Sequence, residues 1–129
     1  MIQYLTIEDV LELHDDAIAA YGGSPGIRDR GLIESAVVQP QTQFFGQEQY
    51  PTMADKVAAL GFALICNHSF IDGNKRIGYF AMDTFLRMNG FKIGSSLEDQ
   101  HAHILAVASG VYSRVEFTAW VTKNIVAAS

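Results

Sequence analysis

Apolar residues recur every three or four positions along most of the chain, which predicts α-helices rather than strands. Six such segments are visible, at about 7–21, 30–38, 53–67, 74–88, 97–109 and 114–126. From Val57 to Cys66 the third segment is apolar on every face, which is typical of a central buried helix. The pattern predicts an all-α fold, a compact six-helix bundle, in which residues 1–129 form a single domain.

Capping signals support these helix boundaries. Four Ser or Thr residues precede apolar segments and are followed three positions later by Asp or Glu, as in a capping box: Thr6, Thr52, Ser96 and Ser113. The glycine-rich stretch 22–26 ends the first segment, Pro40 ends the second and Asn89-Gly90 ends the fourth.

Residues 41–50 lack helical periodicity and mix polar with aromatic side chains. Phe44-Phe45-Gly46, in the middle of this stretch, is compatible with two structures. The aromatic pair could lie in the core, or it could belong to a short extended flap that seats a target segment by strand addition. The sequence leaves both alternatives open.

The composition narrows the possible functions. Hydrophobic residues make up 49% of the chain, charged residues 18%, and the formal net charge is −5. Without a basic stripe or an aromatic ladder, direct nucleic acid binding is not expected. The longest apolar run is about half the ~20 residues that a membrane span needs, and the N-terminus lacks signal-peptide features. The single cysteine, Cys66, cannot form an internal disulfide and fits a reducing cytoplasm.

The stretch between the third and fourth segments, here called the signature loop, concentrates the polar chemistry. It combines a base, a carboxylate, a turn and two cations in the order His68-Ser69-Phe70-Ile71-Asp72-Gly73-Asn74-Lys75-Arg76. Lys75 and Arg76 fall on the first turn of the predicted fourth helix, where positive charge opposes the helix dipole. A bound anion would relieve that conflict, and the free N–H groups of a first turn suit phosphate. The loop is therefore predicted to bind phosphate.

The signature loop resembles that of the Fic/Doc (Fido) family. In Fic enzymes the signature is His-Pro-Phe-x-Asp/Glu-Gly-Asn-Gly-Arg with a further Arg three residues on, and Lys75 in place of the second Gly is similar to the Doc branch, the death-on-curing toxins. Stretches 13–15, 21–26 and 85–90 also resemble Doc sequences, so the likeness spans nearly the whole chain. The resemblance implies a compact helical fold, with the loop between two central helices and Phe70 as its apolar anchor.

The resemblance also implies a function. Fic-branch enzymes transfer AMP from ATP to a target hydroxyl, whereas the Doc branch phosphorylates a threonine of elongation factor Tu and stops translation. Doc toxins are neutralised by an antitoxin, commonly of the Phd type. The chain is thus expected to be a cytoplasmic toxin and an ATP- and Mg²⁺-dependent protein kinase. Its expected partners are elongation factor Tu and a Phd-like antitoxin.

Phosphoryl transfer to a hydroxyl needs alignment, charge neutralisation and a proton acceptor. His68 is the candidate general base, because an imidazole accepts a proton near neutral pH. It follows Leu64 on the apolar stripe of the third segment, so it should emerge at the end of a core-facing row. Asp72 is the candidate Mg²⁺ ligand. The candidate nucleotide-binding residues supply a tight turn, an amide or helix cap, and two positive charges: Gly73, Asn74, Lys75 and Arg76.

Departures from the Fic signature bear on which group is transferred. Lys75 should occlude the usual anion pocket, so that the γ-phosphate rather than the α-phosphate of ATP lies near His68. Ser69 replaces the Fic Pro, Tyr79 stands in place of the final Fic Arg, and no Fic self-inhibitory motif occurs. Lys75 and Tyr79 favour kinase activity over AMP transfer, Ser69 should make the loop entry less rigid, and the missing motif implies inhibition by another protein. The alternatives are AMP transfer in the Fic manner and a catalytically silent binding protein that keeps the signature for its fold.

Other residues have ordinary structural explanations. His101 and His103 do not share a helix face, which favours plain helix residues over a metal site. His14 is either a helix surface residue or part of the site. Trp120 is expected in the core. Cys66 is a poor nucleophile candidate, because a buried thiol stays protonated.

Overall fold

Six helices and two small antiparallel sheets make up the fold in a computed structural model of the chain, which describes residues 1–128. The helices are α1 (Ile7–Tyr21), α2 (Arg30–Val38), α3 (Met53–Cys66), α4 (Asn74–Met88), α5 (Leu97–Ala108) and α6 (Arg114–Asn124). The strands are β1 (Gln43–Phe44), β2 (Gln47–Glu48), β3 (Phe91–Ile93) and β4 (Ile125–Ala127), and a 3₁₀ turn covers Gln39–Gln41. The predicted helical bundle is confirmed. No helix among the described residues is long and apolar enough to cross a membrane.

Helix α3 lies at the centre and packs against α2, α4, α5 and α6. Its contact with α4 is especially close because both helices carry glycine at the interface. A Cβ on Gly61 would overlap Met82, and a Cβ on Gly78 would overlap Ile65. The signature loop joins these two helices, so both of its ends are held by a tightly packed pair.

The predicted N-caps are present, and α4 differs from the other helices. Thr6, Thr52 and Ser113 form reciprocal capping boxes, while Ser96 accepts one hydrogen bond from the first turn of its helix. Asp29 caps α2 in the same one-way manner. In the described part of the chain, α4 alone has no side-chain cap. Its first turn therefore keeps backbone N–H groups without a protein acceptor.

The predicted bounds of α1, α2 and α4 are confirmed, whereas three helices end earlier than predicted. Helices α3 and α5 end at Cys66 and Ala108, one residue before the predicted ends. Helix α6 ends at Asn124, and the following residues form β4, which pairs antiparallel with β3. Two β-branched residues, Ile125 and Val126, favour the strand once a partner is present. Helical periodicity could not reveal that partner, because β3 is distant in sequence.

Residues 43–48 form a hairpin, the flap, in which β1 and β2 pair antiparallel. Phe44 and Phe45 are 61% and 105% exposed, so a flap forms and the aromatic pair does not lie in the core. The flap is tied to α3 by the fully buried Lys56. Its Nζ donates to the carboxylate of Glu48 at 2.9 Å. It also donates to the carbonyls that flank the flap, Tyr50 at 2.6 Å and Pro40 at 3.2 Å.

Candidate active site

The signature loop begins where α3 ends, and His68 occupies the turn that terminates this helix. Asn67 is the C-cap, and His68 follows with φ 50°, in the left-handed region. The prediction that His68 continues a core-facing row of α3 is wrong, because the helix stops first and the His68 side chain is exposed. Glycine is usual at this position after a helix. A non-glycine residue in a sparsely populated conformation costs about 1–3 kcal/mol, and such strain concentrates at functional sites.

Arg28, which the sequence pattern did not single out, holds this turn in place. Its Nε donates to the carbonyl oxygen of His68 at 2.6 Å, and its Nη2 donates to that of Asn67 at 3.0 Å. Asn67 is the C-cap of α3 and His68 follows it, so the guanidinium lies at the C-terminal end of the helix, where the helix dipole favours a cation. The backbone N–H groups of Arg28 and Asp29 donate to the Ser69 carbonyl at 2.8 and 2.9 Å. Hydrogen bonds therefore fix the loop entry, where Fic enzymes have Pro.

Phe70 lies at the centre of the loop and is buried. Its side chain is 2% exposed and stacks on the His14 ring with centroids 3.8 Å apart. The Asn74 side chain brackets the Phe70 backbone, because its Oδ1 accepts from Phe70 N and its Nδ2 donates to Phe70 O, both at 3.0 Å. Ile27 forms an isolated antiparallel bridge with Phe70 from the other side. Asn74 thus shapes the loop, while Gly73 takes the N-cap position of α4.

His14 belongs to the site rather than to the helix surface. It is 2% exposed, and its Nε2 lies 2.8 Å from the carbonyl oxygen of Asp72. Since a carbonyl oxygen only accepts, Nε2 must carry the hydrogen. His14 therefore links α1 to the turn that presents the Asp72 carboxylate.

The Asp72 carboxylate is exposed and held by backbone donors. Ser24 N donates to its Oδ2 at 3.0 Å, and Gly73 N donates to its Oδ1 at 2.9 Å. These two hydrogen bonds lower the pKa of Asp72 below its usual value, and the positive charge of Arg76 lowers it further against an opposing effect of burial. A Cβ on Gly23 would lie 2.8 Å from Asp72 Oδ2, so this approach requires glycine at position 23. Asp72 is thus an ionised acceptor directed outward from a rigid turn.

The two cations at the start of α4 have different surroundings. Arg76 donates from Nη1 to the Gly22 carbonyl at 2.9 Å and lies over the Tyr21 ring, 5.4 Å from its centroid. Lys75 is exposed, and no hydrogen bond or ion pair engages it within residues 1–128. Gly73, with φ 77°, makes the left-handed turn that leads into this helix. Lys75 and the uncapped first turn together offer positive potential to an anion.

This arrangement fits a magnesium–nucleotide complex. Mg²⁺ is commonly held by one or two carboxylates together with substrate phosphates and water. Asp72 supplies one ionised carboxylate, and no group of three or more His, Cys, Asp or Glu side chains in residues 1–128 could hold a metal by itself. Phosphate oxygens would complete the coordination, and their charge would face Lys75 and the first turn of α4.

The remaining candidates lie outside the site. His103 stacks on Trp120 at 4.4 Å and its Nδ1 lies 2.8 Å from the Asp99 carbonyl, an ordinary packing role. His101 meets the Tyr79 ring edge-on. Burial raises the pKa of the Cys66 thiol, which keeps it protonated.

Comparison with known proteins agrees with this geometry. The model of the Fic/DOC family matches residues 4–86, from before α1 into the last turn of α4. The chain is 40% identical over 105 residues to the toxin Doc of Mycolicibacterium smegmatis, covering 81% of this chain and 78% of that protein. It is 31% identical over 97 residues to the protein kinase doc of Escherichia phage P1, covering 75% of this chain and 76% of that protein. The resemblance of the signature loop to Doc sequences is confirmed.

Proposed function

The chain belongs to the Fic/DOC family, and from that premise we propose that it is the toxin of a toxin–antitoxin module. In this proposal it is a transferase of the Doc type, a protein kinase that uses ATP to phosphorylate a threonine hydroxyl of elongation factor Tu and so blocks translation. The observation that carries it is a single short loop that bears an exposed His68 and an ionised carboxylate, Asp72, and leads into an uncapped helix N-terminus. The name of the phage relative, a protein kinase, supports the reaction type.

The proposed step is an in-line displacement at the γ-phosphorus. His68 accepts the proton of the target hydroxyl while that oxygen forms a bond to phosphorus. The bond from phosphorus to the β,γ-bridging oxygen breaks, and ADP leaves with its electron pair. Mg²⁺ bound with the nucleotide would neutralise phosphate charge, and Asp72 would hold it. A positioned base of this kind contributes about 10²–10⁴-fold to the rate.

Lys75 and Tyr79 support phosphoryl transfer over AMP transfer. Lys75 projects from the first turn of α4 where Fic enzymes have a glycine that leaves room for phosphate. Tyr79 is partly buried, burial raises the pKa of its hydroxyl, and it offers no cation where Fic enzymes have Arg. The inverted nucleotide proposed here would bring the γ-phosphate to His68 and leave the α-phosphate away from it.

Purified elongation factor Tu, Mg²⁺ and ATP labelled at either the α or the γ position test the proposal. We expect γ label on elongation factor Tu with the wild type and none with His68→Ala, in a variant that still binds the nucleotide by calorimetry. Transfer of the α label would instead assign AMP transfer. Absence of both transfer and nucleotide binding would favour the catalytically silent alternative.

Lys75→Gly tests the cause of the specificity. If Lys75 decides the orientation of ATP, this variant should gain α-label transfer and lose γ-label transfer. An unchanged product would show that position 75 does not decide the outcome.

The proposed regulation by an antitoxin is tested separately in cells. Expression of the chain in the cytoplasm of a bacterial host should arrest growth of the host. Co-expression of a Phd-like protein encoded next to the toxin gene should relieve the arrest. His68→Ala should not arrest growth. Arrest that persists with the neighbouring protein present would contradict that protein as the antitoxin.

A further inference from the structure

The position of the His68 ring depends on its backbone. The side chain is exposed, and within residues 1–128 no hydrogen bond or aromatic contact fixes the imidazole. The left-handed conformation at φ 50° directs the side chain out of the line of α3. Because non-glycine residues seldom adopt this conformation unaided, something must hold it.

Arg28 donates hydrogen bonds to three consecutive carbonyl groups, those of residues 67–69. The guanidinium donates to the carbonyls of Asn67 and His68, and the backbone N–H of the same residue donates to Ser69 O at 2.8 Å. Arg28 is exposed and comes from a segment 40 residues away in sequence, between α1 and α2. Its neighbours continue the contact, since Gly26 O accepts from Ile71 N at 3.1 Å.

We propose that Arg28 is a positioning residue for His68: its guanidinium holds the left-handed turn after α3 and thereby places the imidazole. This inference rests on the proposed function, in which His68 is the general base. Arg28 itself touches neither nucleotide nor target in this account. Its planar fork binds two carbonyls at once, which a lysine ammonium on a flexible stem does not reproduce with the same geometry.

The inference predicts a specific kinetic pattern for Arg28→Ala. The turnover number for transfer should fall by about 10²-fold, because a displacement of the base of about 1 Å has a cost of that order. The KM for ATP should stay near its wild-type value, since Asp72, Lys75 and the first turn of α4 are unchanged. Arg28→Lys should recover only part of the loss.

The matched control is Arg30→Ala. Arg30 is also exposed, lies two positions away and pairs with Glu34 at 3.3 Å on α2, away from the loop. The substitution Arg30→Ala removes the same charge as Arg28→Ala but leaves the hydrogen bonds of the His68 turn in place. Its turnover number and KM should match those of the wild type.

Two readouts separate positioning from a general loss of fold. The chain has four histidines, so the His68 imidazole resonance can be assigned by its disappearance in His68→Ala. In Arg28→Ala that resonance should shift or broaden while those of His14, His101 and His103 do not. Free guanidinium, added below denaturing concentrations, should restore both the resonance and the turnover number in Arg28→Ala.

The positioning role of Arg28 can be tested independently of the proposed kinase activity. A turnover number and a His68 resonance that behave in Arg28→Ala as they do in Arg30→Ala would overturn the positioning role. If the wild type transfers neither label, the proposed kinase fails, and the His68 resonance with and without guanidinium still decides whether Arg28 positions His68. Rescue by guanidinium of Arg28→Ala, but not of His68→Ala, is the expected result.

Discussion

The imidazole of His14 donates from Nε2 to the carbonyl oxygen of Asp72 at 2.8 Å while its face stacks on Phe70. Helix α1 thereby supports the loop that carries the Asp72 carboxylate and the His68 imidazole. His14→Phe keeps an aromatic ring in the stack and removes the donor. We expect a loss of about 0.5–1.5 kcal/mol in unfolding free energy, as for one hydrogen bond, together with reduced transfer. Urea denaturation and the label-transfer assay measure the two effects.

The matched control is His103→Phe. His103 also stacks on an aromatic ring and also contacts a carbonyl, that of Asp99 at 2.8 Å, but it lies on α5. It should lose a similar free energy of unfolding and retain transfer. Equal transfer by the two variants would show that His14 only stabilises the fold.

Replacing His68 by glycine should stabilise the protein while abolishing transfer. Relief of the left-handed conformation is worth about 1–2 kcal/mol, and the additional chain entropy of glycine subtracts about 0.5–1 kcal/mol. His68→Gly should therefore be more stable than His68→Ala by roughly 1 kcal/mol, as measured by urea denaturation. On helix α5 the same comparison should have the opposite sign, with His101→Gly less stable than His101→Ala by about 1 kcal/mol. The same sign at both positions would contradict the left-handed turn.

The contribution of Asp72 to stability should depend on pH. Its pKa is lower in the folded chain than the usual value of 3.8, chiefly through the N–H groups of Ser24 and Gly73. A lowered folded-state pKa gives stability that is fully present above the unfolded pKa and is lost as the pH falls through the folded pKa. The wild type should exceed Asp72→Asn in urea midpoint at pH 7, and the difference should shrink at about pH 3. A difference that does not change with pH would contradict the ionised, hydrogen-bonded carboxylate.

The buried Lys56 should matter more to stability than the ion pair that it forms. Lys56→Met leaves the carbonyls of Pro40 and Tyr50 without their donor, and an unsatisfied buried group costs about 1–3 kcal/mol. Glu48→Gln keeps a side-chain acceptor for the Lys56 ammonium and removes only the charge of a partner that is 44% exposed, so its effect should be smaller than that of Lys56→Met. Thermal unfolding of the two variants measures the difference. A larger effect of Glu48→Gln would show that the ion pair, rather than the hydrogen bonds from Lys56 to the two carbonyls, holds the flap.

Local signals in the sequence predicted most of the fold. The bounds of α1, α2 and α4 follow from apolar periodicity and from the glycine and proline signals that end these helices, because both act within a few residues. The sequence did not predict strand β4. Its partner β3 is far away in sequence, and the apolar residues after α6 suit a helix as well as a strand. The sequence could not decide between a flap and a core position for Phe44 and Phe45, because the residue that anchors the flap, Lys56, lies outside it on α3.

The sequence identifies candidate residues for the site and predicts only part of their geometry. The spacing from His68 to Arg76 brought the reactive groups together because a single loop carries them. The left-handed turn at His68 has no sequence signal, since glycine would be the usual marker. Arg28 and His14 act through carbonyl oxygens, which every residue possesses, so no motif identifies them.

His68 is proposed to serve as the base for phosphoryl transfer to elongation factor Tu. The most direct test of this role is tandem mass spectrometry of elongation factor Tu after incubation with Mg²⁺, ATP and either the wild type or His68→Ala. We expect a phosphothreonine with the wild type and unmodified protein with His68→Ala. An adenylylated residue, or the same phosphothreonine formed by His68→Ala, would contradict it.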